Sequence, residues 1–183
     1  IAALRESVTM EATRVKGIDA CSPEIWCRPE VFAQAFRFLK NHSVVEDDAL
    51  RCGTLFATYH VGEDFLDVID GLRAIDEAIS FLDLRCGDRL GHALALGIDI
   101  DDWYERKSYK ILINKMGYLD NLVWLYAKLR KYCIEGCDEV RAYIEKRFHE
   151  YFAEIYENNM VKDTIQHVFQ NAKDYFDQRE TKH

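Results

Sequence analysis

What most constrains this chain is an alternation of two hydrophobic periods over its first hundred residues. "RVKGIDA" (14–20) is a short apolar run and reads as a buried strand. "CSPEIWCR" reads as a loop. "PEVFAQAFRFLKNH" follows with apolar positions at helical spacing and Pro29 in its first turn. "GTLFATYH" (53–60), rich in Thr, Phe and Tyr, predicts a second strand, and "EDFLDVIDGLRAIDEAISFLD" (63–83) a second helix. In that helix Phe65, Val68, Leu72, Ile75, Ile79 and Leu82 form one stripe at steps of three and four. "DRLGHAL" predicts a third short strand. Strand, helix, strand, helix, strand is the pattern of a parallel sheet.

The strand ends fall on Asp19, His60 and His92, about 41 and 32 residues apart. Those are the steps of successive βα units, and parallel α/β folds gather their chemistry at the C-terminal strand ends. The three residues are therefore expected on an active-site rim.

Beyond about residue 103 the pattern changes. "YERKSYKILINKMGYLDNLVWLYAKLRKYCIEG", "CDEVRAYIEKRFHEYFAEIYENN" and "MVKDTIQHVFQNAKDYFDQRE" read as helices separated by Gly117, Gly136 and Asn158-Asn159. Phe148, Phe152, Ile155 and Tyr156 form an aromatic-rich stripe, expected to pack a core face, with a surface for self-assembly as the sharper alternative. The expected organisation is a catalytic part, 1–103, and a helical insertion or extension, 104–183.

Composition narrows the function. At 49% hydrophobic residues the 183-residue chain can build a core, and two prolines argue against low complexity. No run approaches the roughly 18 apolar residues of a membrane span. The net charge of −8 is concentrated in the first 103 residues, so neither half offers a basic footprint for nucleic acid or an anionic membrane. Six scattered cysteines suit a reducing cytoplasm better than a disulfide scaffold. Cys133 and Cys137 lack a second tight pair and read as helix-face thiols, not a zinc site.

His60 and Glu63 stand at H-x-x-E spacing where the strand gives way to the helix. A histidine on a strand end is a natural metal ligand. The glutamate, expected to begin the next helix, can point into the same pocket as a proton donor. His92 on the neighbouring strand can orient or deprotonate an attacking water. His42, His149, His167 and His183 have no such setting.

These residues carry a family resemblance. "HVGED" resembles the H-A-G-E segment of the adenosine deaminase family, "DRLGHAL" its R-I-G-H-G segment, and "GIDACSPE" its G-x-D-L-x-G-x-E segment, all in the family's order and close to its spacing. The match covers roughly residues 14–97. "CRPEVFAQAFR", "HVGEDF" and "GDRLGHALALG" most resemble the deaminase branch of bacterial RADAR anti-phage systems. The resemblance implies a (β/α)8 barrel holding one zinc, with His60 a zinc ligand. It implies that Glu63 protonates purine N1 and that His92 positions or activates the water attacking C6, turning adenosine to inosine. Asp19 would support the pocket floor. The implied substrates are adenine nucleosides or nucleotides, ATP included. A homo-oligomeric shell and an ATPase partner protein are implied as well. No H-x-E with a Pro-Cys-x-x-Cys is present, so the unrelated cytidine-deaminase zinc site is not supported.

The chain departs from the family at stated places. The glycine whose backbone contacts the purine falls on Ser22, followed by Pro23, and the glycine after the second histidine is Ala93. The family's H-x-H ligand pair and strand-borne Asp-Asp do not occur; Asp47-Asp48 and Asp101-Asp102 fall in segments that read as loops. With about three βα units visible, the chain is expected to be an internal or C-terminal fragment of a larger deaminase, a partial TIM-type barrel. The alternative is a non-catalytic relative acting as an assembly module.

Overall fold

Three short strands run parallel in one sheet: β1 (Gly17–Ala20), β2 (Phe56–Val61) and β3 (Arg89–His92), in that order across it. A computed structural model of the chain describes residues 14–21, 23–41, 55–132 and 134–156, the side chain of Tyr156 excepted. Ser22, Asp47-Asp48, Cys133, Asn158-Asn159, the expected helix after residue 159, and three of the histidines set aside above (His42, His167 and His183) lie outside them. The described helices are α1 (Ala33–Asn41), α2 (Val68–Phe81), α3 (Ile100–Arg106), α4 (Lys115–Lys131) and α5 (Asp138–Tyr156). The protein is thus mixed α/β, with α1 between β1 and β2 and α2 between β2 and β3. The described residues divide into two compact units, one of those from 14 to 65 with 74–98, the other of 66–73 with those from 99 to 156.

In the first unit one face of the sheet is apolar. Ile18, Ala57, Tyr59 and Val61 are buried with Leu55, Ala33, Phe36, Ile75, Ala78, Phe81 and Leu82. Phe32, Phe36 and Tyr59 pack edge to face, with ring centroids 5.7–6.4 Å apart. A buried ion pair ties the layers. Lys40, near the end of α1, reaches Asp88 Oδ2 at 2.5 Å and also donates to the Asp83 carbonyl. Asp88 Oδ1 accepts from the Ala57 backbone at 2.7 Å. Burial alone would raise the Asp88 carboxyl, but the Lys40 ammonium and the Arg85 and Ala57 N–H groups outweigh it and hold it below the usual range.

Helix α2 is shorter than the periodicity predicts. Residues 62–67 do not join it, because Gly62 takes φ +78° and the backbone there bonds to a side chain of another segment. Of the predicted stripe Val68, Ile75 and Leu82 are buried, whereas Ile79 is exposed. Ala74, Ala78 and Phe81 complete the buried side, so the helix presents a face slightly rotated from the one expected.

In the second unit Leu119, Leu122, Val123 and Leu129 of α4 pack with Ile144 and Phe148 of α5. Phe152 and Ile155 pack against that cluster, so Phe148, Phe152 and Ile155 of the expected stripe face a core, while the Tyr156 side chain lies outside the described residues. Arg73 lies buried between Asp70, at 3.1 Å, and Asn121 Oδ1, at 2.8 Å. The predicted helix over 104–136 is divided. Ser108 and Tyr109 both have positive φ, which ends α3, and Asn114 restarts the chain as the cap of α4 by accepting from the Gly117 N–H at 2.6 Å. Gly117 therefore sits inside a helix start and separates nothing; Gly136, at φ +73°, does lie between α4 and α5. Asp101-Asp102, read as loop, form the first turn of α3, capped by Asp99.

Candidate active site

Strand alternation decides which side chains meet. Along β2 Ala57, Tyr59 and Val61 are buried, while Phe56, Thr58 and His60 face the other, open side. Asp19 of β1 shares that side, since Ile18 is buried. The register pairs Asp19 with Thr58 and Ala20 with Tyr59, so Cys21 comes next beside His60; on the far side His60 pairs with Gly91 of β3.

His60 is held from both sides. Its Nδ1 lies 3.1 Å from Asp19 Oδ1. A Cβ on Gly91 would stand 2.4 Å from His60 Cδ2 and 2.9 Å from Nε2, so the imidazole lies across the space of an absent side chain. Only glycine at 91 permits that ring position without a shift.

His92 ends β3 in an unusual backbone state. Its φ is +58° and that of Ala93 is +48°, the left-handed region in which non-glycine residues are strained. Plain alternation would send the His92 side chain to the buried face with Val61, its register partner. The left-handed turn breaks the alternation, and the His92 ring instead lies 5.3 Å from that of His60, centroid to centroid. Its Nε2 is 3.2 Å from Glu63 Oε2. The strain is thus spent on placing one imidazole beside another and against a carboxylate.

Glu63 does not begin a helix, as the sequence reading expects; it sits in the bend between β2 and α2. Glu24 shapes that bend. This carboxylate, 6% exposed, accepts from the Gly62 N–H at 2.6 Å and the Asp64 N–H at 2.9 Å, one oxygen on each side of Glu63. Burial pushes the Glu24 carboxyl up, even though the backbone N–H groups of the bend pull the other way. Glu24 also lines a small open hollow with Ala20, Cys27, Phe32, Tyr59 and His60.

Asp19, His60, Glu63 and His92 are therefore brought together at one end of the sheet. Ser22 lies outside the described residues, as does Cys133 of the Cys133/Cys137 pair. Three contributors escape the sequence reading: Cys21, Glu24 and Gly91. Cys21 follows Asp19 by two, which is the strand period, so counting outward from Asp19 would have marked it. Asp19, Cys21 and His60 each offer a ligand atom within 4.8 Å of the other two, a set that could hold a metal ion. Three protein donors leaving a position open is the count of a catalytic zinc, and mixed N, O and S donors are within zinc's range. These residues fit zinc.

No protein-family model matches this chain, and no curated protein matches it.

Proposed function

We propose that this chain carries part of the active site of a zinc-dependent deaminase of adenine nucleosides or nucleotides. Its three strands would be adjacent strands of a (β/α)8 barrel. The observation that carries the reading is the convergence of Asp19, His60, Glu63 and His92 at the C-terminal ends of three parallel strands. These residues lie in the three segments that resemble the adenosine deaminase family.

His60 would hold the metal, its ring kept in place by the space over Gly91. When bound, zinc supplies Lewis acidity that makes water nucleophilic at neutral pH. Glu63 gives a proton to purine N1, which makes C6 more electrophilic. His92 orients the attacking water and takes its proton. The C6–O bond forms, His92 passes its proton on to the amino nitrogen, the C6–N bond breaks and ammonia leaves, and the C6 hydroxyl returns a proton to Glu63 as the inosine-type product forms. Substrate and water become product and ammonia with no redox partner. Glu24 fixes the bend from which Glu63 projects. The RADAR-like segments extend the proposal to a cytoplasmic homo-oligomer working beside an ATPase partner.

The test is deamination by the zinc-loaded product of the complete reading frame, compared with Glu63→Gln. General acid catalysis contributes about 10²–10⁴-fold, so the variant should lose at least two orders of magnitude. An unchanged rate contradicts the role of Glu63. Absence of deamination in both proteins assigns the fold to a non-catalytic assembly module instead.

A further inference from the structure

We propose that Cys21 joins Asp19 and His60 as the thiolate ligand of the metal. This rests on the reading of His60 as a metal ligand but gives the ion a donor set unlike the one the resemblance implies. The sheet register carries it. Cys21 follows β1 in the row that holds His60 on β2, and neighbouring strands are roughly 4.8 Å apart. Asp19 stands two residues earlier on the same side, already 3.1 Å from His60 Nδ1. The third residue of the row is Gly91, which contributes no side chain and leaves the imidazole room.

The distances suit one ion. Zinc takes sulfur at about 2.3 Å and nitrogen or carboxylate oxygen at about 2.0–2.2 Å, so donors sharing it tetrahedrally are roughly 3–4 Å apart. The three ligand atoms lie within 4.8 Å of one another, and side-chain rotation covers the remaining ångström or so. Asp19 and Cys21 are exposed, so metal can enter from solvent. Thiolate with imidazole favours zinc, cobalt and their like over magnesium or calcium. Binding replaces the Cys21 S–H bond with a sulfur–metal bond and releases that proton to solvent. Cys27, which lines the hollow beside His60, is not part of the donor cluster and serves as a control.

The experiment is titration of the full chain with Co²⁺ alone, followed by absorption. A thiolate-to-cobalt charge-transfer band in the near ultraviolet is expected, with the visible bands of a four-coordinate ion. Cys21→Ser should abolish the charge-transfer band and weaken affinity at least about tenfold, since losing even an outer-shell partner costs that much. Asp19→Asn should weaken affinity and keep the band; Cys27→Ser should change neither. Visible bands without charge transfer, lost in His60→Ala but not in Cys21→Ser, would overturn the thiolate and leave the deaminase reading standing. A charge-transfer band lost in Cys27→Ser, or no cobalt spectrum at all, would also overturn the proposal. Deamination lost in Glu63→Gln with an unchanged cobalt spectrum reports on the deaminase reading alone.

Discussion

Glu24 Oε2 accepts a hydrogen bond from the backbone nitrogen of Gly62 at 2.6 Å, 38 residues away in sequence. With the second bond, to Asp64, it clamps the bend that carries Glu63. Removing a buried acceptor leaves each donor unpaired at about 1–3 kcal/mol. Glu24→Ala should therefore destabilise the chain by roughly 2–5 kcal/mol in urea unfolding, and Glu24→Gln, which keeps one acceptor oxygen, by clearly less.

Gly91 predicts a steric effect on one ring. Gly91→Ala places a methyl 2.4 Å from His60 Cδ2, so the imidazole must rotate away from Asp19. The variant should fold, since alanine is allowed in a strand. It should bind zinc at least about tenfold more weakly, because the oriented ligand is lost. Calorimetric titration with zinc checks this, and unchanged affinity would show that the ring position is irrelevant to metal.

Two buried carboxyls give stability opposite pH slopes. The Asp88 carboxyl is held below its ordinary value of about 3.9, so its contribution is present above that pH and is lost as pH falls through its lower folded value. The Glu24 carboxyl is raised, so its folded state binds a proton more readily than the unfolded chain does. Its contribution is full below about pH 4.3 and is lost as pH rises through the folded value. Asp88→Asn should flatten the acid limb of a stability–pH curve, and Glu24→Gln should flatten the decline just above the usual glutamate range.

The side chains of Lys40 and Asp88 are both 4% exposed, so breaking the pair strands a buried charge. Lys40→Met should cost about 3–5 kcal/mol, and Lys40→Met with Asp88→Leu should recover much of it. No recovery in the double variant would contradict a stranded Asp88 charge as the source of the loss.

The fold's first half was legible because each strand is a short apolar run and each helix keeps its period. Asp19, His60 and His92 stood out because strand ends can be counted. What periodicity could not supply was the contact between segments. The apolar pattern of 63–83 looks helical from its first residue, yet Glu24, far off in sequence, holds residues 62–64 out of the helix. Likewise "YERKSYK" has helical composition, and nothing in it announces the left-handed pair Ser108-Tyr109. Cys21 looked like one more scattered thiol until the register put it beside His60. The swing of His92 towards His60 depends on a backbone state that alternation alone would deny.

The decisive experiment incubates the zinc-loaded product of the complete reading frame with adenosine, AMP and ATP and measures the inosine-type product and ammonia. Equimolar release of both from at least one of the three, lost in Glu63→Gln, is the expected result. Intact substrate in all three reactions, with zinc bound, would contradict it.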